Sequence, residues 1–396
     1  MTEGPFLILL VGMNALPNYL AAGALQPRRI ALVYTRETKE AKDRLRRVLV
    51  DALGQSVALE EPFVDDASCA TTVRRVIDPL MPTSDDGGDA GGALLNYTGG
   101  TKVMAAHARL AFSRSDGKPE HASYLDEGGT DRQPRLRFDD GNSAPLSAYS
   151  NVGLTLATVL ALHGITHKPR EATAPAPTAN DARAILCGVL GDAGLTERLY
   201  QERRRLSDLK TPKAASEAPF TAPDFGLALS LAQVPDGLEM NRKVYEQWYR
   251  FIGGEWLEDW LGAQIGALEL LPPPKITVGV NAFRGEKQTQ LEVDVAVIRG
   301  HRSYFISCTT DSTKPICKSK VFEVALRSRQ LGGDLARAAL VCLADDPIVS
   351  ALQADVDDVW GASNTTRIFG LSDIRGWSDC NGKHPNRHSL KAWLES

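Results

Sequence analysis

The chain opens with apolar runs that alternate with amphipathic stretches. FLILLVG (6–12) and RIALVYT (29–35) are continuously apolar, the pattern of parallel strands covered on both faces. TKEAKDRLRRVLVDALG (38–54) repeats its apolar residues at helical spacing and ends in glycine. TTVRRVIDPLM (71–81) predicts a second helix, TSDDGGDAGG (83–92) an acidic loop, ALLNYTGG (93–100) a further strand and TKVMAAHARLAFSR (101–114) the helix after it. ASYLDEGG and PRLRFDDG read as late strands and NVGLTLATVLALHG (151–164) as a helix. This βαβα order predicts an open, doubly wound α/β sheet.

The pattern then changes. HKPREATAPAPTAND (167–181) is rich in Pro, Ala and Thr and predicts a linker, followed to about 235 by a helical connector with a second Pro/Ala/Ser interruption at 211–224. Beyond it, VYEQWYRFIGGEWLEDWLGAQIGAL reads as helix, and LEVDVAVIRG and RSYFISCTT as two strands joined by a turn at Gly300-His301. PICKSKVFEVALRSRQLGG predicts a helix with Pro near its start and Gly-Gly at its end, and ARAALVCLA a buried strand. The expected division is therefore 1–166, 167–235 and 236–396. Trp248, Trp256 and Trp260, at near-helical spacing, are expected in the core rather than as base-stacking platforms, and His301 in an exposed turn.

Composition narrows the function classes. The 396 residues are 43% hydrophobic and 24% charged, ordinary for globular domains. The formal net charge is -4 and no long stretch has a marked basic excess, so any nucleic-acid contact must come from a local patch or a metal ion. The six cysteines are scattered without zinc-ligand spacing and read as free thiols of a reducing cytosol. The apolar run near the N-terminus is too short for a membrane span and lacks the basic flank of a signal peptide, so a cytoplasmic protein without a membrane partner is expected.

Three strand ends carry chemistry. The first holds Gly12, Met13, Asn14 and Asn18, the second Thr35, the third Asn96, Thr98, Gly99, Gly100, Thr101 and Lys102. Open α/β sheets bind ligands beyond the carboxyl ends of their strands, where the strand order reverses. Glycines admit close backbone approach, and the helix start near Thr101 offers free N–H groups and a positive dipole end to a phosphate. The spacing is neither a Walker A loop nor a dinucleotide fingerprint; a tight turn with a solvated lysine is the alternative.

VGMNALPNYL, ALVYTRET and NYTGGTKVMAAHA together resemble the CRISPR-associated Rossmann-like (CARF) domain over roughly residues 5–165, most closely from Asn96 to Met104. The resemblance implies a homodimeric sensor of cyclic oligoadenylates, by analogy cyclic tetra-adenylate, whose ring lies on the two-fold axis. Asn14, Asn18, Thr35, Thr98, Gly99, Gly100, Thr101 and Lys102 would line each half of the pocket, beside Gly12, Met13 and Asn96.

A second set of residues lies near the C-terminus. Asp294 interrupts the apolar alternation V-D-V, where an unpaired buried carboxylate is costly, and Glu292 shares its strand face. Carboxylates from a strand pair and a preceding helix that converge on a divalent cation make a phosphodiester-cleaving site, because the metal lowers the pKa of a bound water. Over about 240–396 the chain resembles the PD-(D/E)XK nuclease half of CARF fusion effectors. GGEWLEDW matches the opening helix with Glu258, LEVDV the first strand with Glu292 and Asp294, and YFISCTT the strand that usually reads I-E-C-K or S-C-K. Here Ser307 stands in the glutamate slot and Thr309 in the lysine slot.

The resemblance implies Mn²⁺ or Mg²⁺ held by Asp294 with Glu258 or Glu292 and the carbonyl of Cys308. The lysine would come from the next helix, Lys320 ahead of Lys318, with Glu323 as a further carboxylate. Any of Glu258, Glu292, Lys318 and Lys320 alone also reads as a solvated charge. The expected function is a cyclic-oligoadenylate-activated, metal-dependent nuclease of type III CRISPR defence that cuts DNA or RNA. Two other readings stay open. One is a regulator or messenger sponge with an inactive nuclease fold; the other is a ring nuclease that uses Lys102 with Thr98 or Thr101.

Overall fold

The structure is a computed structural model that describes residues 5–54, 57–81, 92–115, 117–127, 133–149, 153–168, 170–192, 194–208, 220–221, 230, 239–240, 242–284, 289–359, 361, 365–380, 382 and 384–396. The expected acidic loop at 83–92 and the interruption at 211–224 lie largely outside the described residues.

The N-terminal unit runs β1 (Phe6–Leu10), α1 (Leu16–Leu25), β2 (Arg29–Thr35), α2 (Lys39–Leu53), β3 (Ala58–Glu60), β4 (Phe63–Val64), α3 (Ala70–Ile77), β5 (Ala93–Asn96), α4 (Lys102–Arg114), β6 (Ala122–Asp126), β7 (Arg135–Phe138), β8 (Ser143–Pro145) and α5 (Leu156–Leu162). Its sheet has the order β3-β2-β1-β5-β6-β7-β8, with β4 beside the end of β2. β3 to β6 along that order are parallel, and β7 and β8 return antiparallel. Chain order reverses where β1 lies between β2 and β5, which fixes the crevice at the ends of β1 and β5. The period of two divides the buried residues as a doubly wound sheet requires. Leu7, Leu9, Ile30 and Leu32 face α1, α2 and α5, whereas Ile8, Leu10, Ala31 and Val33 face α3 and α4.

The second sheet has the order β16-β15-β14-β13-β12-β9. β9 (Ile165–Lys168) precedes α6 (Ala179–Gly191), α7 (Leu195–Asp208), the short pair β10 (Phe220–Thr221) and β11 (Glu239–Met240), α8 (Arg242–Arg250) and α9 (Trp256–Gly266). Then come β12 (Lys275–Arg284), β13 (Thr289–Arg299), β14 (Arg302–Thr309), α10 (Lys314–Gly332), β15 (Arg337–Cys342), α11 (Asp346–Ala354), β16 (Thr366–Phe369), α12 (Leu371–Trp377) and α13 (His388–Glu395). β12 to β14 form an antiparallel meander, and β14, β15 and β16 are parallel. On one face Val295, Val297, Tyr304 and Ile306 meet Ile185, Trp248, Trp256, Trp260 and Trp377. The three tryptophans expected in the core are each about 1% exposed. On the other face Ala296, Ile298 and Phe305 meet Val324 and Leu331 of α10, within the same apolar cluster that holds Leu7, Leu45 and Val159. The two units therefore share one continuous core.

Several expectations need correction. The helix read through 244–268 is broken at Phe251–Glu255, where Gly254 takes φ 142, a conformation open to glycine because it has no Cβ. Part of the segment expected as linker and connector is built into the second sheet: β9 pairs with β12, and α6 packs on α9 within the core. Cys187 of α6 and Cys380 after α12 form a disulfide, their Cα atoms 5.2 Å apart, so the six cysteines are not all free; Cys69, Cys308, Cys317 and Cys342 are. His301 is buried rather than exposed. Among the described residues no helix is long and apolar enough to cross a membrane.

Candidate functional site

The N-terminal crevice is built on backbone contact. A Cβ on Gly99 would lie 2.1 Å from the Leu10 carbonyl oxygen and 2.9 Å from the Gly12 nitrogen, so only glycine lets this turn press on the end of β1. Gly100 follows with φ +76, a left-handed conformation that turns the chain into α4. Thr101 caps that helix by accepting from the Met104 N–H at 3.2 Å, and its hydroxyl donates to the Ala67 carbonyl at 3.1 Å. Lys102, first residue of α4, is exposed, as is Met13.

Asn18 is fully buried. Its Nδ2 donates to the Leu10 carbonyl at 2.9 Å, while its Oδ1, beside Gly99, has no hydrogen-bond partner among the described residues. Gly12, Asn18, Gly99 and Gly100 thus converge. Asn96 and Thr98 instead brace the crevice: the Thr98 hydroxyl donates to Asn96 Oδ1 at 2.8 Å and accepts from the Leu125 N–H at 2.7 Å. Thr35 is buried at the end of β2, its hydroxyl donating to Glu37 at 2.7 Å.

Asn14 looks two ways. Its Oδ1 accepts from the Leu16 N–H, and its Nδ2 lies where a Cβ on Gly333 would come within 2.6 Å. Gly333 follows α10, and the next residue, Asp334, donates its N–H to Glu127 Oε2 at 3.1 Å. The N-terminal crevice therefore abuts the C-terminal end of α10.

The N-terminal half of α10 approaches the second site. Asp294 of β13 accepts from the Ser307 hydroxyl at 3.0 Å and the Cys308 N–H at 2.6 Å, both on β14. Glu258, in the first turn of α9, faces it. Burial, and after it the neighbouring charges of Asp294 and Glu255, push the Glu258 carboxyl up to about 9. Glu255 and Asp259 are shifted upward too, again mainly by burial. A cavity of about 550 Å³ opens over Glu258, Asp294 and Glu292, and Lys168, Arg170, Lys243 and Arg250 line its wall. Glu292 is exposed at its rim.

The two lysine candidates part company. Lys320 shares a small hollow with Asp294, Ser307, Glu323 and Arg327, whereas Lys318 pairs with Asp355 at 2.9 Å, outside that hollow. Thr309 accepts from the Asp311 N–H. Arg170, missed in the sequence because it lies in a Pro- and Ala-rich stretch, reaches into the carboxylates: 2.7 Å to Glu255, 3.1 Å to Asp259 and 3.9 Å to Glu258.

Two facing carboxylates, one of them buried and repelled by its neighbour, are a donor pair that a divalent cation accepts. Glu258 and Asp294 fit that role, with the Cys308 main chain alongside. Among the described residues no three His, Cys, Asp or Glu side chains gather as a metal-holding group, so Glu292 does not complete the set in this arrangement.

No protein-family model matches the sequence, and no curated protein matches it. Solved structures do. Protein VC1899 from Vibrio cholerae aligns over 99% of this chain and 98% of its own, with a TM-score of 0.66 and 16% identity. Can2 from Sulfobacillus thermosulfidooxidans, solved in complex with cyclic tetra-adenylate, aligns over 99% of this chain and 97% of its own, with a TM-score of 0.65 and 17% identity. A type III CRISPR defence DNA nuclease activated by cyclic oligoadenylate aligns over 87% of this chain but 46% of its own, with a TM-score of 0.52 and 21% identity. At these identities the likeness is one of fold. The chain shares the architecture of VC1899 and Can2 throughout, a doubly wound Rossmann-like α/β unit followed by a second α/β unit, which agrees with the fold the sequence resemblance implied.

Proposed function

We propose that this chain is a cyclic-oligoadenylate-responsive effector whose C-terminal cavity cleaves nucleic-acid phosphodiesters with the help of a divalent cation. The observation that carries the reading is the pairing of Glu258 with Asp294 on the floor of a cavity walled by Lys168, Arg170, Lys243 and Arg250. Basic walls hold a polynucleotide backbone by neutralising its phosphates. A bound Mg²⁺ or Mn²⁺ would polarise the scissile phosphate and acidify a water there. Ser307 and the Cys308 N–H fix the Asp294 carboxylate, and Lys320 offers the positive charge that Thr309 lacks.

At the other site, Gly99, Gly100 and the start of α4, with the exposed Lys102, take a ring phosphate, while the buried Asn18 braces the end of β1 through the Leu10 carbonyl. Two copies of the chain would enclose the ring. The 1–166 sensor and the 236–396 effector are then coupled to the extent that the ring binds the active arrangement better than the resting one.

A second reading is favoured by a specific contact. Ser307 donates a hydrogen bond to Asp294, where a nuclease of this type would present another carboxylate. The C-terminal unit would then bind nucleic acid or a partner without cutting, and the sensor would regulate or sequester the messenger.

The test is incubation with supercoiled plasmid, single-stranded DNA and single-stranded RNA in Mn²⁺, with and without cyclic tetra-adenylate. Ligand-dependent cleavage that Asp294→Asn abolishes supports the nuclease. Lys320→Ala is expected to cut the rate by about a hundredfold, in the range of a lost acid–base or water-orienting group, and Lys318→Ala to leave it unchanged. Tight ring binding without cleavage supports the binding reading.

A further inference from the structure

The carboxylate cluster already holds a cation, a guanidinium. Arg170 bonds Asp259 through both terminal nitrogens at 3.1 and 3.2 Å, pairs with Glu255 at 2.7 Å and reaches Glu258 at 3.9 Å. Its side chain is 19% exposed. The sheet makes room for it. Gly279 of β12 has φ +65, and a Cβ there would lie 2.9 Å from Arg170 Cδ. β12 pairs with β13 on either side of this point, Val278 with Val295 and Val280 with Val293, so the irregular residue falls opposite Asp294.

Arg170 also lies on the chain that leaves the sensor. α5 ends at Leu162, β9 occupies 165–168, and beyond Arg170 the chain is fastened to α8. There Thr173 and Gln247 exchange hydrogen bonds, and the Trp248 indole donates to the Pro175 carbonyl at 3.1 Å.

A divalent cation between Glu258 and Asp294 would share the Glu258 carboxylate with this guanidinium, and two cations on one carboxylate repel each other. We propose that Arg170 is a displaceable counter-ion of the Glu255–Glu258–Asp259 cluster, which competes with a divalent cation for Glu258 and so holds the site in a cation-poor state. This rests on the cation reading of the cavity given above. The crossover segment thereby becomes a working part of the site: whatever draws it back from α9 opens the carboxylates to metal.

The probe is MnCl₂ alone, titrated calorimetrically into the full-length wild-type protein and its R170Q, R170K and D294N variants. R170Q is expected to bind Mn²⁺ about tenfold or more tightly than wild type, since it removes a unit charge within 4 Å of the ligand. R170K keeps the charge but loses the two-pronged grip on Asp259, and its affinity is expected between the two. D294N is expected to bind more weakly than wild type. Wild-type binding with unchanged or weaker binding by R170Q overturns the proposal and makes Arg170 a positioning residue. Should R170Q not fold, R170M, which also removes the charge, takes its place: unchanged or weaker binding overturns the proposal equally. Absence of Mn²⁺ binding in both wild type and R170Q overturns the cation reading itself and this inference with it.

Discussion

Replacing Glu127 with glutamine is expected to stabilise the protein at pH 8 and to change it little at pH 5. Glu127 follows β6, and its Oε2 accepts the Asp334 N–H beyond α10 at 3.1 Å. Burial, and after it the Asp334 charge, push its carboxyl from 4.5 up to about 7. Between those values the native state keeps a proton that the unfolded chain has released. Stability therefore falls as pH rises through this window; the cost is absent below 4.5 and complete above about 7. The rise from 4.5 to about 7 corresponds to roughly 3 kcal/mol at most.

Glutamine keeps the acceptor oxygen and removes the ionisation, so the E127Q gain at pH 8 approaches that figure. An unfolding entropy of about 2 cal/mol/K per residue over the 396-residue chain makes this a rise of about 2–4 °C in Tm. The assay is thermal unfolding of wild type and E127Q at pH 5, 6, 7 and 8. A Tm difference that is the same at every pH, or that favours wild type at pH 8, refutes the reasoning, since no ionisation would then oppose folding at this contact.

Two further outcomes follow from geometry. Gly99→Ala would set a methyl group 2.1 Å from a backbone carbonyl, so the turn must open; binding of cyclic tetra-adenylate, measured calorimetrically, is expected to weaken by about tenfold or more, the loss of at least 1.4 kcal/mol. Cys187→Ser is expected to cost about 2–4 kcal/mol of stability in non-reducing buffer and nothing in dithiothreitol, and equal Tm values in both buffers would contradict the bridge to Cys380.

The first half of the fold was legible because its signals are local. Continuous apolar runs mark β1 and β2, and Gly-Gly before a capped helix marks the turn between β5 and α4. The V-D-V alternation located Asp294, since a carboxylate inside a buried strand needs partners, here Ser307 and the Cys308 N–H. What was not legible depends on pairings across long separations. β9 looks like the start of a linker until β12 pairs with it, and Arg170 looks solvated until α9 brings Glu255, Glu258 and Asp259 to it. The Cys187–Cys380 bridge spans 193 positions and has no spacing signature. Helical periodicity offered Lys318 and Lys320 as near equals; they differ because Asp355, beyond α11, claims the first.

The shared apolar core has a consequence for how such a chain can be taken apart. Leu7 and Val159 on the N-terminal side and Phe305 and Leu331 on the other belong to one cluster, and β9, two residues beyond the helix α5, hydrogen-bonds to the far sheet. A cut near residue 166 would strip the second sheet of its edge strand and bare apolar surface on both fragments. The two halves should therefore melt in a single transition and resist separation by protease at that point. A transplanted N-terminal unit would need to bring α5, β9 and Arg170 with it.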